Sequence, residues 1–129
     1  MSTTGRDFIQ AVDELDLSLT QCKSLRALSD AHEPLSFKAL GDQLGLSLPA
    51  ISRAVDGLVQ RGFVTRAEDP VDRRSKRLAL TAKGRRTHDK LYALRVAGLR
   101  DFVETLEPEE RDALATGLAP IARRAGDGA

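Results

Sequence analysis

Asp69-Pro70-Val71-Asp72-Arg73-Arg74-Ser75-Lys76-Arg77-Leu78-Ala79-Leu80-Thr81-Ala82, followed at once by Lys83-Gly84-Arg85, is the stretch on which the reading of this chain turns. An apolar strand candidate, Phe63 to Thr65, leads into it, and an acid-then-base tip reverses it. Leu78 and Leu80 then alternate on the return, as one face of a strand requires. Thr81 can cap a new helix through its hydroxyl. Two amphipathic segments lie just upstream, Ser36 to Leu44 and Leu48 to Arg61, separated by Gly45-Leu46-Ser47, the punctuation of a helix-turn-helix. A helix-turn-helix followed by a basic hairpin predicts a mainly α fold, a winged helix-turn-helix with a two-stranded β wing. That arrangement places one helix in the DNA major groove and an arginine-tipped loop beside it.

Length and composition agree with one domain spanning 1–129, with a winged core over 18–86 flanked by helices at 1–17 and 87–125. An apolar share of 41% and a charged share of 30% suit a globular chain, and no stretch approaches the roughly 20 apolar residues that cross a bilayer. No basic-then-apolar leader opens the sequence, and a single cysteine precludes an internal disulfide, so a cytoplasmic location is expected, with no membrane partner. Net charge is only +1, but it is unevenly spread. Residues 36–100 carry 14 basic against 6 acidic side chains, and the rest carry 6 against 13. A charge run is usually a solvated helix face. Here the positive segments are those the hairpin would set against phosphates, which points to nucleic acid.

Along the chain, Phe8, Val12 and Leu15 leave one apolar stripe on a short first helix, Asp7 to Leu15. A second helix opens at Thr20, turns Leu25 and Leu28 inward, and ends before Glu33-Pro34. Ser36 caps the third helix and Gly45 ends it in the left-handed region. Ser47 caps the fourth, in which Ile51, Val55, Leu58 and Val59 must face the core. That leaves Ser47, Leu48, Pro49, Ser52 and Arg53 as the positions able to touch DNA bases, since a recognition helix reads mainly with its N-terminal residues. Arg53 suits guanine and Ser52 a base or phosphate, the bland alternatives being a solvated arginine and, for Ser47, a simple cap. A long helix follows from about Ala82 to Leu106, and a last one opens at Pro108, leaving Gly126 to Ala129 as an expected frayed tail.

No glycine-rich phosphate loop, nucleophile elbow or distinguishable carboxylate set argues for an enzyme. His32 and His88 lie far apart without a ligand cluster, so neither a metal nor a cofactor is expected. Cys22, with Lys23 and Arg26 near it on one helix, is the candidate for oxidant sensing, though a lone cysteine at a helix start is more often a packing residue. A winged helix that binds protein rather than DNA is the rival reading, and salt-dependent retention of random duplex separates the two.

These residues resemble the MarR family of bacterial transcription regulators over nearly the whole chain. The most specific match is Asp69 to Ser75 with Leu80-Thr81-Ala82-Lys83-Gly84. Leu19-Thr20-Gln21, Ala39 to Gly45 and Leu58 to Val64 support it in order and spacing. The resemblance implies a homodimeric regulator of double-stranded DNA, a repressor acting at a pseudo-palindromic operator. Arg73 would enter the minor groove, and Ser36, Lys76 and Arg77 would hold phosphates. Asp56, where the family carries an acid, is expected to pair with Arg74 and set the wing's angle. Phe8, Val12, Leu15, Leu99, Phe102, Leu106, Leu114, Leu118 and Ile121 are the expected dimer-forming residues. With no tryptophan and one tyrosine, Tyr92, no aromatic-lined effector pocket is evident, and any small-molecule effector stays unidentified.

Overall fold

The computed structural model describes residues 5–127. Six helices and three strands follow in the order α1 (Gly5–Glu14), α2 (Leu19–Asp30), β1 (Leu35–Ser36), α3 (Phe37–Leu44), α4 (Leu48–Gln60), β2 (Val64–Glu68), β3 (Lys76–Leu80), α5 (Ala82–Glu104) and α6 (Pro108–Asp127). Polar side chains set the helix starts. Ser36, Ser47 and Thr81 accept from the backbone N–H groups of Ala39, Ala50 and Gly84, and Ser18 with Gln21 forms a reciprocal capping box on α2. Gly45 closes α3 at φ 67°, a conformation that costs glycine little.

The helix-turn-helix and the wing share one core. Leu25 of α2, Leu40 of α3, Ile51, Val55 and Leu58 of α4 and Leu78 of β3 are all essentially sealed from solvent. Each would be worth about 1.5–3 kcal/mol if fully buried. Phe63 and Val64 join them where α4 gives way to β2.

Three strands rather than two form the wing's sheet. β2 and β3 pair antiparallel from Val64 with Leu80 to Glu68 with Lys76, and the two-residue β1 adds to the outer edge of β3, in the order β1-β3-β2. Phe63, placed in the strand by its sequence, precedes β2 and is buried instead.

α5 begins hard against the start of the wing. The backbone N–H of Thr81 donates to the Phe63 carbonyl at 3.0 Å, and the Thr81 hydroxyl to the Gly62 carbonyl at 2.6 Å. A Cβ on Gly84 would lie 2.0 Å from that same Phe63 oxygen. Lys83 closes the junction by donating to the Arg61 carbonyl at 2.8 Å, while the Lys83 and Arg61 cations lie 4.7 and 5.1 Å from the Phe63 ring centroid.

The chain ends behave differently from each other. Along α5, α1 packs closely, with Phe8, Val12 and Leu15 partly buried against the core of their own chain. Arg95 sits 5.5 Å from the centre of the Phe8 ring. By contrast, α6 makes almost no contact with the other described elements. Gly126 and Asp127 continue that helix instead of fraying, while Gly128 and Ala129 lie outside the described residues.

Candidate nucleic-acid interface

Burial of Ile51, Ala54, Val55 and Leu58 turns the opposite side of α4 outward. Pro49, Arg53 and Asp56 are exposed there, Ser52 is half-buried at the margin, and Ser47 and Leu48 lead the helix. An open cleft of about 490 Å³ runs beside Arg53, between Ala50 and Ala54 of α4 and Ser18, Thr20 and Gln21 at the start of α2. Gln21 bridges these helices by donating to the Ala54 carbonyl at 3.4 Å.

Beside this face, acidic partners divide the wing's cations into held and free. Arg66 on β2 reaches Asp56 of α4 at 3.0 Å, Lys76 faces Glu68 across the strands at 3.4 Å, and Arg77 meets Asp69 at 2.9 Å. At the tip, Arg73 and Arg74 are exposed and engage no acidic side chain among the described residues, and the same is true of Arg53. These three charges are therefore available to phosphate or base without breaking an ion pair.

One sequence expectation is overturned here. Asp56 pairs with Arg66 and not with Arg74, whose backbone N–H caps on Asp72 at 3.1 Å. Both Asp56 and Arg66 are about half exposed, so the pair adds only about 0–1 kcal/mol of stability, and what it supplies is a tie between recognition helix and wing. Arg77 sits on Asp69 and Lys76 on Glu68, so each of these expected phosphate contacts requires exchange of an acidic partner. Ser36 both caps α3 and pairs with Arg77 in the β1–β3 register, so only the spare hydrogen-bonding capacity of its hydroxyl remains.

Asp69 organises the tip. Its Oδ1 accepts from the backbone N–H groups of Val71 at 2.8 Å and Asp72 at 3.2 Å, and its Oδ2 takes the Arg77 guanidinium. The Val71 N–H, then Arg77, then the Asp72 N–H hold this carboxyl below the usual range. Backbone bonds from Asp69 to the Ser75 carbonyl and from Ser75 to the Asp72 carbonyl close the loop.

A second cavity corrects the expectation about effectors. About 380 Å³ opens between α1, α2 and α5, walled by Phe8, Tyr92 and His88, by Leu19, Leu25 and Leu91, and by the cations of Lys23, Arg26 and Arg95. Its aromatic groups come from two distant helices, so no local motif announces it. Cys22 also lines this cleft, half-buried, and desolvation pushes its thiol above the usual value, the opposite of what an oxidant-sensing thiolate needs.

Fold and site together define a winged helix-turn-helix with an arginine-tipped wing, the architecture of a DNA-binding regulator. Residues 15–75 match the MarR family model. The uncharacterized HTH-type transcriptional regulator YfiV of Bacillus subtilis (strain 168) is 33% identical over 95% of this chain and 76% of its own length. The transcriptional repressor CouR, solved bound to a 23-mer DNA duplex, superposes with a TM-score of 0.66 at 34% identity, covering 91% of this chain and 82% of CouR. PcaV of Streptomyces coelicolor, solved with its natural ligand, superposes with a TM-score of 0.59 at 28% identity over 84% of this chain and 76% of PcaV. This chain belongs to the MarR family and is a helix-turn-helix transcriptional regulator.

Proposed function

We propose that the chain is a homodimeric repressor that occludes a promoter by binding a pseudo-palindromic operator. The observation that carries the reading is the set of free arginines, Arg53 on the recognition helix and Arg73 and Arg74 at the wing tip, beside cations already neutralised by Asp56, Glu68 and Asp69. Arg53 with Ser52 reads major-groove edges, while Arg73 and Arg74 enter the adjacent minor groove, where a narrow A·T-rich segment concentrates negative potential. Lys76 follows the backbone, exchanging Glu68 for phosphate, because an exposed pair at 3.4 Å is weakly held. That CouR is a repressor solved on duplex DNA supports the reading.

The dimer rests on apolar side chains left exposed on α5 and α6. Leu99 and Phe102 on α5 are 68% and 61% exposed, and Leu114, Leu118 and Ile121 on α6 are 39–50% exposed on a helix nearly detached from the other described elements. Exposed large apolar side chains in this number mark an association site. A second copy, related by a two-fold axis, buries it and sets two recognition helices about 34–36 Å apart. Leu106, less exposed, belongs to the rim of that surface.

The cleft between α1, α2 and α5 is the effector site in this scheme, taking a small molecule with an apolar ring and an anionic group. Phe8 and Tyr92 supply ring contacts, and Arg95, Arg26 and Lys23 the counter-charge. Because its walls come from the helix that leaves the wing and from one that packs on α4, a ligand there can shift the recognition helices apart. That PcaV was solved with its natural ligand supports this reading.

Two measurements on the intact protein test the reading. Light scattering at micromolar concentration without DNA should give twice the chain mass. Retention of duplex DNA should fall steeply with salt, by roughly one logarithmic unit of slope for each phosphate neutralised. A monomer with salt-independent or absent DNA binding would return the fold to a protein-interaction role.

A further inference from the structure

Leu48 is a large apolar side chain left 54% exposed on the recognition helix, and it takes no part in the core that Leu46 and Ile51 on either side of it help to build. Pro49 follows it, exposed and opposite the buried face, and its ring nitrogen has no hydrogen to donate. The polar groups around them are mostly committed. Ser47 accepts from Ala50 at 3.3 Å, and Asp56 holds Arg66. The leading turn of this helix therefore presents hydrocarbon, while Arg53 on the next turn, with Arg73 and Arg74 at the wing tip, supplies free charge suited to a polyanion.

Within the major groove the apolar feature on a base edge is the 5-methyl group of thymine, which apolar side chains read by contact. Resting on the DNA-binding reading, we propose that Leu48, backed by Pro49, selects thymine in each half-site through that methyl group. Arg53 and Ser52 read neighbouring base pairs by hydrogen bonds. An apolar leading edge also disfavours cytosine and guanine at the same place, because their polar edges would lose water without gaining a partner.

Replacing thymine by deoxyuridine deletes the methyl and leaves base pairing intact, so it isolates this contact. The preferred duplex is first selected from a random pool with the wild-type dimer, and each thymine is then exchanged singly for deoxyuridine. At one or two positions per half-site the exchange should weaken binding about fourfold, the size expected for withdrawing one methyl group from contact. Leu48→Ala should bind the thymine and deoxyuridine duplexes equally at those positions. Leu48→Met, which keeps an apolar side chain of similar reach, should retain the discrimination. Each protein is compared with itself on two duplexes, so a general loss of affinity cannot imitate the result. The assignment is overturned if no thymine is sensitive in the wild type, or if Leu48→Ala still discriminates. Salt-dependent binding without a methyl effect sinks only the thymine assignment, whereas failure to retain any duplex sinks the DNA-binding reading with it.

Discussion

Replacing Gly84 by alanine sets helix propensity directly against packing, and the structure decides which prevails. On propensity alone, alanine gains about 0.5–1 kcal/mol over glycine inside a helix. Its Cβ, however, would sit 2.0 Å from the Phe63 carbonyl oxygen and 3.0 Å from its carbon, with the Leu80 Cδ2 at 3.3 Å. That oxygen cannot swing aside freely, because it accepts the Thr81 N–H at 3.0 Å where the long helix begins. Overpacking costs about 1–3 kcal/mol, and losing the hydrogen bond about 1 more, so the net destabilisation is about 1–3 kcal/mol after the propensity gain. For a chain of 129 residues this lowers the melting temperature by roughly 4–11 °C at fixed protein concentration. Two companion variants calibrate the comparison. At Gly57 a Cβ meets only the flexible end of Gln21, at 2.7 Å, and at Gly117 it meets nothing within 4 Å. Gly57→Ala should stay within about 1 kcal/mol of wild type, and Gly117→Ala should gain up to about 1 kcal/mol. Scanning calorimetry of the three variants is the assay. A Gly84→Ala protein as stable as wild type would show that α5 does not cross the wing as closely as described.

Other expected outcomes follow from the interface. Arg73→Ala and Arg74→Ala should each weaken specific DNA binding by about 1–3 kcal/mol if they read the groove, and by less, with a salt slope reduced by about 1, if they touch only phosphate; titrations at several salt concentrations separate these. Asp69→Asn should loosen the wing tip, seen as faster amide exchange at Val71 and Asp72. Because the folded state lowers the Asp69 pKa, the stability it adds is fully present above the unfolded value near pH 4 and is lost as pH falls through the folded value. Asp69→Asn should therefore lower stability at neutral pH and flatten the acid limb, so that the two proteins converge at low pH. Phe102→Glu with Leu118→Glu should yield a monomer by light scattering with little change in helix content, since neither side chain belongs to the chain's own core.

The sequence was most legible where one residue type performs a local job. Ser36, Ser47 and Thr81 cap helices and Gly45 ends one because those jobs are done within one helical turn, and periodicity placed Ile51, Val55 and Leu58 inward for the same reason. What escaped depends on contacts between distant segments. β1 is two residues long and has no period to read, and it exists because Leu35 and Ser36 lie along Leu78 and Arg77. The partner of Asp56 is fixed by strand register, which carries Arg66, ten residues away, back toward α4 while Arg74 stays at the tip. The stripe of Phe8, Val12 and Leu15 announced an apolar face but not that part of it packs on the core of the same chain. The cleft lined by Phe8 and Tyr92 appears only when α1, α2 and α5 converge.

Selection of bound duplexes from a fully randomised pool by the intact protein, with the enriched sequences read out, tests the central claim most directly. A dimeric reader with one recognition helix per protomer should enrich an inverted repeat with half-site centres about one helical turn, or 10 base pairs, apart. Enrichment of no sequence, or of a single half-site without its symmetric mate, would contradict the account.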